Sequence, residues 1–156
     1  MAASKNSRTA TREMATHRAR SGTVFYWIVA IIALVGLADA TFLTIAHLTG
    51  DDAVCGSAAG CSEVLGSVYA TVRGIPTAAF GAVAYFIVFS LAVLGVFGYA
   101  GVKKFLVALV AAMFLASLYF LYLQTFVLHA FCPYCLLSAA LSFFLAGLLI
   151  AVPAAG

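Results

Sequence analysis

The sequence predicts an all-α membrane protein, a bundle of four transmembrane helices with an extracytoplasmic loop that contains a short helix. Two observations carry this. Hydrophobic residues make up 65% of the 156, charged residues only 8%, and the mean hydropathy is +1.15, a composition that no soluble globular domain approaches. The apolar residues also fall into four runs near the length that crosses a bilayer, about 20 residues each. With the chain so used, the net charge of +3 reads as a topology signal and not as a nucleic-acid footprint. The expected surroundings are a lipid bilayer, with no nucleic-acid partner.

Residues 1–22 carry Lys5, Arg8, Arg12, Arg18 and Arg20 against Glu13 and lack apolar periodicity. They are expected to be a disordered basic cytoplasmic tail that anchors the first helix by charge. The membrane domain covers residues 23–152, and its first helix residues 24–48. A cleaved signal peptide is the rival for that run, with Ala38-Asp39-Ala40 as a small-residue site. The apolar run continues past those residues and the basic region before it is long, which favours an uncleaved helix. Residues 49–74 turn to Gly, Ser, Asp and Thr and form the outer loop. It holds Cys55 and Cys61, a stretch over residues 62–69 suited to a short helix, and Gly74-Ile75-Pro76 as punctuation. The second helix follows at residues 75–97. A tight turn bearing Lys103 and Lys104 leads to the third, residues 105–128, and a turn at 129–131 to the fourth, residues 132–152.

Four spans put both termini on one side. Of the Lys and Arg residues, seven lie on that side, in the tail and the Lys103-Lys104 turn, against Arg73 alone on the other. The positive-inside rule then places the termini in the cytoplasm and all four cysteines at the outer face of the inner (plasma) membrane. An oxidising compartment on that side suits two cysteine pairs.

Cys132-Pro133-Tyr134-Cys135 opens the last apolar run. Two thiols three positions apart share a helical face and can act as a two-electron unit. Pro133 suits the first helical position, where its missing N–H costs nothing. Cys132 then falls at the N-cap, where the helix dipole favours its thiolate. Cys135, one turn deeper, is expected to point between the helices at membrane depth. Cys55 and Cys61 flank a small-residue spacer, Gly56-Ser57-Ala58-Ala59-Gly60, flexible enough to carry electrons between an outside protein and the membrane surface. Thiol–disulfide exchange along that route is one reading. Two static disulfides are another, although a CxxC bridge closes too small a loop to stabilise much. A four-thiolate zinc site is a third, and no metal is expected.

Asp39 lies past the middle of the first span and should face the bundle interior. It either has a proton role near a reducible ligand or packs against Thr41, Thr44 or Gln124. His47 and His129 read as interfacial. Phe114, Tyr119, Phe120, Tyr122, Phe126 and Phe131 are candidates for a ring-binding wall or for packing and lipid contact.

The order of these features resembles the vitamin K epoxide reductase family. Cys61-Ser62-Glu63-Val64-Leu65-Gly66-Ser67 followed by Tyr69-Ala70-Thr71-Val72-Arg73-Gly74-Ile75-Pro76 is similar to the loop of its bacterial members. Leu43-Thr44, His47-Leu48 and Phe80-Gly81 fit as well, and the likeness runs over residues 26–152. The other quinone-coupled thiol oxidase of four helices, DsbB, has its CxxC before its second cysteine pair, the reverse of the order here.

The resemblance implies roles. Cys55 or Cys61 would form a mixed disulfide with a DsbA-like thioredoxin-fold protein, the other would pass electrons to Cys132, and Cys135 would face a quinone, menaquinone or ubiquinone, as electron acceptor. Ser67 would bind or polarise the quinone carbonyl, with Leu65, Thr77 and Phe80 at pocket positions. Vertebrate members carry an asparagine in place of Thr77 and a tyrosine in place of Ala139, which argues against epoxide reduction as the native reaction. With no thioredoxin-like domain after the fourth helix, the partner is expected to be a separate protein. The function implied is a quinone-coupled oxidase that regenerates the disulfide donor for exported proteins. The alternatives are a reductase of a vitamin K-type quinone or epoxide, or a non-catalytic scaffold or transporter with structural disulfides.

Overall fold

Four helices among the described residues are long and apolar enough to cross a membrane: Gly22–Thr49, Thr77–Val96, Val102–Val127 and Pro133–Ala151. The protein is a multi-pass membrane protein. Its structure, a computed structural model, describes residues 2–49, 59–99 and 101–151, with side chains in 22–49, 60–99 and 101–151.

Helix α1 runs Ala2–Thr49, so the basic segment expected to be disordered is helical. Charge and missing apolar periodicity argue against burial but not against helix. Between Ala2 and Ser21 there is no Pro or Gly, and Ala, Arg, Met and Glu are strong helix formers. Helix α3 runs Thr77–Val96, α4 Val102–Tyr122 and α5 Pro133–Ala151. The second and fourth helices thus start later than expected. Ile75 and Pro76 belong to a strand, and Cys132 is a cap. The third starts earlier, in the residues read as a turn, and ends in a π-helical segment, Leu123–Val127.

The principal contacts close a ring in which α1 packs on α3, α3 on α4, α4 on α5 and α5 on α1. The α1–α3 pair is antiparallel and keyed by small residues, as membrane helix pairs are when their backbones approach closely. A Cβ added at Gly36 would strike the ring of Tyr85, one at Gly95 would lie within 2.5 Å of the Tyr26 ring, and Gly81 faces Ala40. The three pairs share one register. Val29, Ala30 and Ala33 of α1, Val88 and Ala92 of α3, Leu106 and Val110 of α4 and Leu145 of α5 complete the buried core around Tyr85.

In the loop, the short helix lies earlier than expected: α2 is Ala59–Gly66, followed by a 3-10 turn over Val68–Ala70. The rest is a hairpin of two short strands, β1 Thr71–Val72 and β2 Ile75–Pro76. Arg73 and Gly74 form its two-residue turn with φ of 53° and 81°, the positive pair that a type I′ hairpin requires. Residues 50–58, with Cys55, lie outside the described residues.

Candidate functional site: a buried thiol pair beside an apolar cavity

Cys132 caps α5. Pro133 is the first helical residue, the Leu136 N–H donates to the Cys132 carbonyl at 3.0 Å, and the Cys135 N–H donates to Cys132 Sγ at 3.4 Å. The sulfur takes the place that a serine or threonine oxygen has at an N-cap. The hydrogen bond from the Cys135 thiol, with help from the Cys135 and Tyr134 N–H groups, pulls the Cys132 pKa down to about 7, against burial and the charge of Asp39. Cys132 is fully buried, and both thiols of the pair are free.

The turn before Cys132 is built by the π-helical segment. Its widened turn closes with the Leu128 N–H on the Leu123 carbonyl at 2.8 Å, and the Ala130 N–H then reaches the Gln124 carbonyl at 3.2 Å. His129 sits exposed between them at φ 50°. The Gln124 side chain is buried and its Oε1 accepts the Cys132 N–H at 3.0 Å.

Cys61, in α2, is fully buried and disulfide-bonded. It forms one buried cluster with Leu43 and Cys132, with Leu65, Tyr134 and Cys135 packed around them. Gly60 makes the approach possible. A Cβ there would come within 2.5 Å of the Phe131 carbonyl oxygen and 2.8 Å of its nitrogen, both backbone atoms unable to rotate aside. Gly60 was read as part of a flexible spacer. It is instead a helical residue whose missing side chain lets α2 seat against the residue preceding Cys132.

On the other side of the pair, Cys135 lines a cavity of about 360 Å³, within the range of small-molecule sites. Leu65, Ser67, Thr77 and Phe80, the four positions picked out from the sequence, all line it. Ala139 adds only a methyl group to the wall. The Ser67 hydroxyl donates to the Val64 carbonyl at 2.8 Å and that of Thr77 to the Ala70 carbonyl at 3.0 Å. Of the six aromatic candidates, only Phe120 borders the cavity. Phe114 packs edge-on against Phe143, while Tyr119, Tyr122, Phe126 and Phe131 are exposed on the outside of the bundle.

Asp39 is buried, as expected, yet its Oδ2 has no hydrogen-bond partner among the described residues. The two threonines proposed as its partners give their protons elsewhere. Thr41 and Thr44 donate to the Leu37 and Ala40 carbonyls, and Gln124 Oε1 holds Cys132. Asp39 is not among the side chains lining the cavity.

Two residues of this site were not singled out for it from the sequence. Tyr85 and Gln124 are polar groups inside apolar spans, which is a recognisable signal. Neither has a charge or a motif to mark which neighbour it serves.

Residues 27–150 match the sequence model of the vitamin K epoxide reductase family. The chain belongs to that family. Over 114 residues it is 42% identical to the thiol-disulfide oxidoreductase LTO1 of Arabidopsis thaliana, an alignment that covers 67% of this chain and 30% of the relative. The family match begins in α1 and ends in α5, so it takes in most of the first span, the second and third spans whole, nearly all of the fourth, the loop and the CxxC.

Proposed function

We propose that the protein is a quinone-coupled thiol oxidoreductase that takes electrons from a thioredoxin-fold dithiol partner through Cys55 and Cys61 and delivers them through Cys132 and Cys135 to a quinone in the cavity. One observation carries this reading: the thiol pair has two faces, with Cys132 packed against loop Cys61 and Cys135 on the cavity wall. The name of the plant relative, a thiol-disulfide oxidoreductase, agrees with it.

The steps balance as ordinary exchange. The partner's dithiol reduces the loop disulfide and leaves oxidised. One loop thiolate then bonds to the Cys132 sulfur and expels Cys135. The second loop thiolate displaces Cys132, which re-forms the loop disulfide and leaves a Cys132/Cys135 dithiol. A disulfide-bonded Cys61 together with two free thiols, Cys132 and Cys135, is the arrangement that follows this step, and it is the one in the structure. The dithiol returns to a disulfide by giving two electrons to the quinone, which takes up two protons to become quinol. The protons come from water or from Asp39, the one acidic side chain within the four described spans, which does not line the cavity and would deliver them through water. Ser67, Leu65, Thr77 and Phe80 line the quinone site. Orientation follows the basic residues, with termini in the cytoplasm and thiols at the outer face of the plasma membrane. Epoxide reduction is not favoured, since Ala139 offers no hydrogen bond and the Thr77 proton is committed to Ala70.

The test is quinone reduction by the purified protein in detergent, with a reduced DsbA-like protein as donor. Donor oxidation coupled to quinol formation, lost in Cys61→Ala and in Cys135→Ala, is the expected result. Well-folded wild-type protein that reduces no quinone from any thiol donor would overturn the proposal and leave a disulfide-stapled scaffold.

A further inference from the structure

We propose that the hydroxyl groups of Tyr85, Ser138 and Ser142 form a polar pole at the deep end of the cavity, which hydrogen-bonds a carbonyl oxygen of the quinone and so holds the ring beside Cys135. This rests on the quinone-reductase reading above and adds the part of the site that orients the substrate.

Tyr85 is buried at the centre of the bundle, its ring against Gly36 of α1. Its hydroxyl crosses to α5, where it donates to the Ser138 carbonyl at 2.9 Å and lies 3.1 Å from Ser138 Oγ and 3.3 Å from Ser142 Oγ. All three side chains border the same cavity as Cys135. Residues 135, 138 and 142 share one face of α5, and Ser138 stands about 4.5 Å below Cys135 along the helix axis. That rise is on the scale of a single ring, so a quinone whose oxygen meets the hydroxyls has its ring at the level of the Cys135 sulfur.

Tyr69, Ser117 and Gln124 also bring polar atoms to the wall, but among the described residues only at Tyr85, Ser138 and Ser142 do three hydroxyls meet. A quinone carbonyl needs a hydrogen-bond donor. On the loop side, the Ser67 and Thr77 protons are already given to the Val64 and Ala70 carbonyls. At the deep end there are three hydroxyl protons, of which the Tyr85 proton goes to the Ser138 carbonyl. The two serine protons have the phenol oxygen as their partner, and either can rotate toward a ligand while the other keeps that contact. A serine hydroxyl also accepts, so the same pole that donates to a quinone carbonyl can receive the proton of a quinol hydroxyl. The rest of the wall is largely apolar, and in such a site a few placed polar groups set orientation.

The test uses the full chain in detergent with dithiothreitol as donor and 2-methyl-1,4-naphthoquinone as acceptor, comparing wild type with Tyr85→Phe and Ser142→Ala. Ser142→Ala loses a donor, and Tyr85→Phe loses the phenol oxygen that positions both serine hydroxyls; each should raise KM for the quinone about fivefold, the effect of one net hydrogen bond. Inhibition by 2-methylnaphthalene, the same ring without carbonyls, should change less than about twofold by the same reasoning. If inhibition by the hydrocarbon weakens as much as KM rises, the hydroxyls serve packing and the proposal is overturned. An unchanged quinone KM in both variants overturns it as well. If Tyr85→Phe does not fold, Ser142→Ala decides. Wild-type protein that reduces no quinone refutes the reductase reading instead, and equilibrium binding then judges the pole. A wild-type preference for the naphthoquinone over the hydrocarbon, lost in Ser142→Ala, upholds the pole, and no preference overturns it.

Discussion

The side-chain carbonyl of Gln124 accepts the backbone N–H of Cys132 at 3.0 Å, inside the bundle and across the turn that joins the third span to the fourth. An N-cap residue leads its own N–H away from the helix, so this donor has no intrahelical partner. Only the π-helical segment brings an acceptor to it. Gln124→Leu should therefore leave a buried N–H unpaired and lower stability by about 1–3 kcal/mol, whereas Gln124→Glu, which keeps an acceptor oxygen, should lose less. Chemical unfolding of both variants in detergent, with the reduced pair, measures the difference. Equal losses would mean that the contact with Cys132 is not what Gln124 contributes.

Gly60 stands next to Cys61 and against the backbone of Phe131, which stands next to Cys132. A methyl group at position 60 must push α2 off the start of α5, since the atoms it meets are backbone. The distance between the loop sulfur and Cys132 then grows. Misplacement of about 1 Å can cost on the order of 100-fold in a step that needs a defined geometry. Gly60→Ala should thus slow electron transfer from a thioredoxin-fold donor by about 10- to 100-fold while leaving quinone reduction by a small dithiol near wild type. Parallel assays with the two donors separate these. An equal loss with both would place the defect in the bundle instead of the loop contact.

The parts of this molecule that were legible in the sequence are those whose cause is local. Four apolar runs of about 20 residues become helices because within a bilayer only a helix lets a single span pair its own backbone polar groups, and the runs are about twice as long as a barrel strand needs. Pro133 fixes where the last helix starts, which puts Cys132 at its cap. The helical state of the basic segment was missed because disorder was inferred from charge, and charge says nothing against a helix free of Gly and Pro. The hairpin had a visible signal in Arg73-Gly74, obscured by an arginine in a position where asparagine or aspartate is usual. Gly60, Gln124 and Tyr85 were illegible for a different reason. Each acts on a partner in another element, the Phe131 backbone, the Cys132 N–H and the α5 serines, and no spacing along the chain encodes those meetings.

Cys132 should react as a thiolate at lower pH than an ordinary cysteine. Its pKa of about 7, held down chiefly by the Cys135 thiol, lies below the ~8.5 of a free thiol. Alkylation of Cys132 by iodoacetamide, located by mass spectrometry, should rise with pH through a midpoint near 7 in the reduced pair. Cys135→Ala removes the largest cause and should move that midpoint upward. The sign for stability follows, because the folded protein binds fewer protons than the unfolded chain between the two pKa values. The contribution is complete above the unfolded pKa and is lost as pH falls through the folded one. A midpoint at or above the ordinary thiol value would show that the cap and the neighbouring thiol do not stabilise the charge.

Gly36 and Gly147 are both glycines in membrane-spanning helices, and they should differ in their response to the same substitution. An added Cβ at Gly36 meets the ring of Tyr85, while at Gly147 nothing lies within 4 Å. Tyr85 cannot retreat without giving up its hydrogen bonds to Ser138 and Ser142, so the overlap must be relieved by parting α1 from α3. Overpacking of this kind costs about 1–3 kcal/mol. Gly36→Ala should lose that much on chemical unfolding in detergent, and Gly147→Ala should stay within about 0.5 kcal/mol of wild type, as isolated surface changes do. Equal, small effects at the two positions would mean that α1 and α3 yield freely at Gly36, and that the Tyr85 ring is less firmly seated than its contacts indicate.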